Sequence, residues 1–166
     1  TERRAFELGR ELNADGCWVR QESAFRRTVT ADGSSGFPAE AGRYHLYASL
    51  ACPWSHRTII GRLLKGLERA LPVSYLDPYR DARGWAFTGG RFVDHANGFS
   101  FLAEAYLATD PSFDDRITLP VLWDTVTRQI VSNESGDILR MLNDAFDGLE
   151  HEPAILCRVG PVLRGR

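Results

Sequence analysis

Tyr44-His45-Leu46-Tyr47-Ala48-Ser49-Leu50-Ala51-Cys52-Pro53-Trp54-Ser55 is the stretch from which the rest of the chain is read. Tyr44 to Ala48 is short, aromatic and preceded by Gly42, which predicts a strand. Cys52-Pro53 then opens a helix. Proline suits a first helical position, where its missing N–H costs nothing. Ile59, Ile60, Leu63, Leu64 and Leu67 recur at helical spacing, with Arg57, Arg62 and Lys65 assigned to the opposite face and Gly66 near the end. Val73-Ser74-Tyr75-Leu76, closed by Asp77-Pro78, predicts a second strand. The connection between helix and strand is short, so the unit reads as βαβ with a parallel strand pair.

Downstream, 79–100 carries Gly84, Gly89, Gly90 and Gly98 and reads as a long loop. Phe101 to Leu107 predicts a short helix, stopped by Asp110-Pro111. Leu119-Pro120-Val121-Leu122-Trp123-Asp124 and Gln129-Ile130-Val131-Ser132 predict a hairpin. Ser132 to Leu142 predicts a last helix, with Ile138, Leu139 and Leu142 on its apolar side. The order β-α-β-α-β-β-α is that of an α/β thioredoxin-like fold with a mixed sheet, placed at 44–147. Ahead of it, 1–43 shows little periodicity and reads as an extended or loop segment; Thr30 to Pro38 is rich in turn formers. The tail 148–166 has no clear period.

Composition narrows the function. The chain has 166 residues, 20 basic and 22 acidic, for a formal net charge of −2. That balance favours neither nucleic acid nor an anionic membrane. Apolar runs are too short to cross a bilayer, and Thr1-Glu2-Arg3-Arg4 has no apolar stretch behind it, so no signal peptide is expected. Cys17, Cys52 and Cys157 are far apart and odd in number. This argues against a disulfide framework and for a reducing, cytoplasmic setting. No CxxC or HxxxH spacing supports a metal.

Three features carry chemistry. A cysteine that closes a strand–loop and opens a helix meets free N–H groups and the positive end of the helix dipole, which favour thiolate, the nucleophilic form. Cys52 is so placed; a lone cysteine is otherwise most often a small core residue. Ser55 stands where a CxxC motif has its second thiol. A mixed disulfide on Cys52 therefore has to be resolved by an external thiol. Pro120 opens a strand, which is unusual because it removes a ladder donor. The reading favoured is a cis bond after Leu119, with the Leu119 backbone open to pair with a peptide ligand; the alternative is a trans proline at a strand edge. Asn133-Glu134-Ser135 opens the last helix. Ser135 is a candidate cap, helix N–H groups suit a carboxylate, and Glu134 suits an ammonium; plain capping is the alternative.

Tyr44 to Arg57 closely resembles the signature of the glutathionyl-hydroquinone reductases, the Xi class of glutathione transferases. So do Arg116-Ile117-Thr118-Leu119-Pro120-Val121-Leu122-Trp123-Asp124 and Ile130 to Leu142. Gly84-Trp85-Ala86-Phe87 and Phe25-Arg26 look like family features too, and the likeness covers roughly 16–148. It implies a glutathione transferase N-terminal domain with glutathione as co-substrate and no metal. It implies an enzyme that reduces glutathionyl-quinone adducts, and a homodimer for full-length relatives. Cys52 would be catalytic; Trp85, Leu119, Pro120, Glu134 and Ser135 would hold glutathione. Trp85 reads equally as a core aromatic. An omega-like transferase acting on dehydroascorbate or small disulfides, and a non-catalytic glutathione-binding module, are the alternatives. Departures are Ser55, expected on an exposed turn where the family more often has Ala, and Leu119 where it has Val. The helix Phe101-Leu102-Ala103-Glu104-Ala105 lacks the base that many members use for glutathione. Family members continue into a helical domain, so the chain is expected to be truncated before it, leaving a normally covered face exposed.

Overall fold

In the computed structural model, which describes residues 14–17 and 22–149, the alternation of β1 (Tyr44–Ala48) sorts the molecule into two apolar layers. Side chains of successive strand residues point to opposite faces. Tyr44, Leu46 and Ala48 join one buried cluster and Tyr47 joins the other. Every residue of β1 is buried, as expected of a central strand covered on both sides.

The elements are β1, α1 (Pro53–Leu64), β2 (Val73–Tyr75), α2 (Leu102–Thr109), β3 (Val121–Asp124), β4 (Gln129–Ser132) and α3 (Ser135–Asp144). The sheet order is β2-β1-β3-β4. β1 pairs parallel with β2 and antiparallel with β3, in register Tyr44 with Asp124. This is the expected thioredoxin-like topology. Helices α1 and α3 cover one face through Ile59, Ile138 and Leu142, with Leu67 just beyond α1, against Leu46, Leu122 and Val131. On the other face Tyr106 and Leu102 of α2 pack with Trp123, Val121 and Ile130. β3 starts two residues later than expected, at Val121, and α3 starts at Ser135 rather than Ser132.

Helix α1 corrects the expected face assignment. Ile60, Leu63 and Leu64 are half exposed, whereas Arg62 and Lys65 are 7% and 3% exposed. The basic side chains turn inward because carbonyls await them: Arg62 donates to the Leu71 and Glu68 carbonyl oxygens, and Lys65 to Asp147 and the Asn143 carbonyl. A buried cation is tolerated when its donors are so paired. Gly66 follows with φ of 63°, a left-handed turn that glycine adopts at no steric cost.

Two connections are more ordered than the sequence suggests. In the 22–43 segment, Arg27 N–H donates to the Val131 carbonyl and Asn133 N–H to the Phe25 carbonyl, so residues 25–27 run along β4. The turn formers at 30–38 close a tight loop through Thr30 N–H to the Phe37 carbonyl and Ala39 N–H to the Thr30 carbonyl. In the glycine-rich 79–100 loop, the buried Asp94 carboxylate accepts the N–H groups of Ala96, Asn97 and Phe99 and the hydroxyl of Tyr47. This ties the loop to β1. Cys157 and the tail beyond Leu149 lie outside the described residues. Among those residues, no helix is long and apolar enough to cross a membrane.

His45 is 4% exposed and hydrogen-bonded through Nε2 to Ser74 Oγ at 2.8 Å. Burial pushes its pKa down to about 4, against the pull of Asp94. Between about pH 6.5 and 4 the unfolded chain therefore binds a proton that native His45 refuses. Stability present above pH 6.5 should fall as pH drops, by about 2–3 kcal/mol at pH 4.5. Urea midpoints at pH 7 and 4.5 check this. The gap should narrow in His45→Asn; an unchanged gap would assign the acid sensitivity to other groups.

Candidate active site

Cys52 closes the loop after β1 and is the N-cap of α1, with Pro53 as the first helical residue. Its carbonyl accepts the N–H groups of Ser55 and His56, and its own N–H reaches the Ser49 carbonyl. Sγ therefore sits beside the first turn of α1, where the helix dipole is positive and no acidic side chain opposes it. Cys52 is 8% exposed, and its Sγ lies 3.7 Å from the Leu119 carbonyl oxygen. The Leu119–Pro120 bond is cis, as expected. The loop from β1 to α1 and the entry to β3 thus meet at the sulfur.

Ser55, expected on an exposed turn, is fully buried. Its Oγ accepts the Ser49 N–H at 3.3 Å, which pins the loop that carries Cys52. The basic side chains that follow Cys52 point elsewhere. His56 Nε2 bonds the Leu50 carbonyl at 2.6 Å. Arg57 reaches across to α3, donating from Nε to Ser135 Oγ at 2.9 Å and from Nη2 to Glu134 Oε1 at 3.4 Å.

The cap of α3 is Glu134, not Ser135. Glu134 Oε1 accepts the Gly136 N–H at 3.1 Å, and Oε2 accepts Ser23 Oγ at 2.9 Å. A carboxylate outperforms the hydroxyl here because Ser135 lies one residue inside the helix, where its Oγ faces Arg57. The preceding Asn133 is buried; it bonds Tyr106 Oη and Thr118 Oγ1 and accepts the Phe25 N–H. Asn133 thereby links the α3 cap to the segment leading into Leu119.

Trp85 is 9% exposed and belongs to one buried cluster with Cys52 and Leu119. Its carbonyl accepts the Leu102 N–H at the start of α2. Glu104 of α2 turns back to accept the Ser100 and Phe101 N–H groups. The Arg80 guanidinium lies 5.1 Å from the centroid of the Trp85 ring. Neither Arg80 nor Ser23 stands out in sequence: each is a lone polar residue in an irregular segment, and only the fold sets it beside Trp85 or Glu134. Cys17 is exposed and is not a member of this buried cluster.

The glutathione S-transferase N-terminal domain model matches residues 51–145. The glutathionyl-hydroquinone reductase PcpF of Sphingobium chlorophenolicum is 47% identical over 137 residues, 81% of this chain and 42% of the relative. A Xi-class glutathione transferase structure from Natrialba magadii superposes with a TM-score of 0.83 at 44% identity, covering 93% of this chain and 48% of that one. The glutathione-bound structure of YqjG from Escherichia coli K-12 gives 0.76 at 48% identity, covering 80% and 46%. The chain spans less than half the length of these relatives.

Proposed function

Because the chain belongs to the glutathione S-transferase N-terminal domain family, and its relatives include glutathionyl-hydroquinone reductases and Xi-class transferases, we propose that it reduces glutathionyl-hydroquinones through Cys52. The observation that carries this reading is the Cys52 sulfur at the N-terminus of α1, 3.7 Å from the Leu119 carbonyl. The Cys52 thiolate attacks the glutathione sulfur of the thioether. The carbon–sulfur bond breaks, its electron pair stays on the ring carbon, and that carbon takes a proton as the hydroquinone leaves. A second glutathione thiolate attacks the mixed disulfide, releasing glutathione disulfide and restoring Cys52. Ser55 supplies no internal thiol, which is why the second step needs an external one.

In this reading glutathione lies along the entry to β3, at Leu119 and Pro120, as an added strand would. Glu134 and Ser135, organised by Arg57, take the γ-glutamyl end: the carboxylate of Glu134 suits its ammonium and the first turn of α3 suits its carboxylate. Trp85 packs on the peptide. The test incubates the full chain with glutathionyl-menadiol and glutathione. A glutathione adduct on Cys52 by mass spectrometry, with repeated release of menadiol, is expected. Reduction of dehydroascorbate without menadiol release would replace this reading with an omega-like one. Adduct without release would leave a glutathione-binding module.

A further inference from the structure

The entry to β3 at Leu119 and the N-terminus of α3 at Glu134 lie on segments that meet at one buried hydroxyl. Tyr106 of α2 is fully buried. Its ring is set against Phe25 and Phe113, with centroids 5.6 and 4.9 Å away. Its Oη donates to the Thr118 carbonyl at 2.8 Å. The same oxygen accepts the Thr118 N–H at 3.2 Å and an Asn133 Nδ2 proton at 3.1 Å, and Thr118 Oγ1 stands 3.3 Å from it. A phenol hydroxyl both donates and accepts, and here it does both. Asn133 Nδ2 also donates to Thr118 Oγ1 at 3.0 Å, and Asn133 Oδ1 accepts the Phe25 N–H at 3.0 Å. Burial raises the Tyr106 pKa, against the pull of its bonds with Thr118 and Asn133. The proton therefore stays on the oxygen at neutral pH, and the donor role with it.

Thr118 immediately precedes Leu119, whose carbonyl lies 3.7 Å from Cys52 Sγ, and Asn133 immediately precedes Glu134, the cap of α3. One hydroxyl thus ties the two segments to each other. We propose that Tyr106 is a positioning residue of the Cys52 site: its hydroxyl holds the Leu119 backbone and the N-terminus of α3 at the spacing that one tripeptide thiol bridges. This rests on the reading above for the identity of the tripeptide, glutathione. Tyr106 acts through Thr118 and Asn133 rather than on the ligand. Both backbone polar groups of Thr118 bond to it, so deleting the hydroxyl obliges that peptide to seek other partners by moving.

The test measures how well two ligands protect Cys52 of the full chain from iodoacetamide, read on the Cys52 peptide by mass spectrometry. S-methylglutathione carries both ends of the tripeptide and no thiol to consume the reagent. N-acetyl-S-methylcysteinylglycine lacks the γ-glutamyl end and engages only the entry to β3. Tyr106→Phe deletes the hydroxyl alone. In that variant the advantage of the first ligand over the second should fall about tenfold, because the two ends no longer stand at one fixed spacing. Alkylation without ligand should stay close to wild type. Thr118→Val keeps the backbone bonds to Tyr106 but loses the side-chain link to Asn133, and should lower the same advantage about threefold. It reads the proposal independently should Tyr106→Phe fold poorly. Thr109→Val deletes another hydroxyl of α2, one that accepts the Ile130 N–H. It should unfold at lower urea and keep the advantage unchanged. An unchanged advantage in Tyr106→Phe and Thr118→Val would overturn the proposal. Equal weakening of both ligands, or an equal fall in Thr109→Val, would mark Tyr106 as packing alone and overturn it as well. Failure of S-methylglutathione to protect the wild type would instead overturn glutathione as the ligand, and the positioning role with it.

Discussion

Cys52→Ser is expected to cut glutathione-dependent release of hydroquinone by about a thousandfold or more while leaving the fold intact. The two effects separate because the nucleophile proposed for Cys52 and the N-cap of α1 make different demands. The proposed attack uses a thiolate, and a serine hydroxyl supplies none. As the N-cap of α1 Cys52 contributes a backbone conformation but no side-chain capping bond. Serine is among the preferred N-caps, so the variant should unfold at the same or slightly higher urea, by about 0.5–1 kcal/mol. The neighbours tolerate the exchange, since Oγ is smaller than Sγ and the Leu119 carbonyl accepts from either. Release assays and urea titrations on both proteins check the pair. Turnover surviving within tenfold of wild type would place the nucleophile on another residue.

Arg43→Met should destabilise the chain by about 3–5 kcal/mol. Its partner Asp124 is fully buried at the end of β3. The fork of Arg43 grips that carboxylate through Nε at 3.1 Å and Nη2 at 2.8 Å, while Thr127 Oγ1 and the Val126 N–H complete the shell. Burial alone would raise the Asp124 pKa, but the bonds from Arg43, Thr127 and Val126 outweigh it and hold the carboxyl below the usual range. The carboxylate thus stabilises the fold above its unfolded pKa of about 3.9, and that contribution disappears as pH falls through the lower native value. Methionine keeps the aliphatic stem but leaves the buried charge facing apolar atoms. The double variant Arg43→Met with Asp124→Leu should recover much of the loss, because it removes the charge along with its partner. Urea unfolding at pH 7 reads all three proteins. A single variant within about 1 kcal/mol of wild type would mean that Thr127 and Val126 suffice.

Much of the site was legible because its chemistry is local. The strand Tyr44–Ala48, the helix opened by Cys52-Pro53 and the bond before Pro120 each depend on neighbours in sequence, and the structure has all three. The alternation along β1 predicts which side chains join which layer, since the period of a strand is a property of the backbone. The inward turn of Arg62 and Lys65 was not legible. Helical spacing marks a stripe but not which stripe faces the core, and here the carbonyls at Glu68, Leu71 and Asn143 decide. The same holds for the α3 cap, where Arg57 claims Ser135 and leaves Glu134 to bond Gly136.

The order of elements along the chain, the placement of a thiol at a helix N-terminus and the absence of a second thiol at position 55 were therefore settled by the chain itself, because each follows from backbone geometry or from the residue present at one position. The company that thiol keeps was settled only by folding. Leu119 stands 67 positions from Cys52, and Arg80 meets Trp85 through a loop closed by Asp77. Such contacts depend on distances in space, which sequence separation does not set.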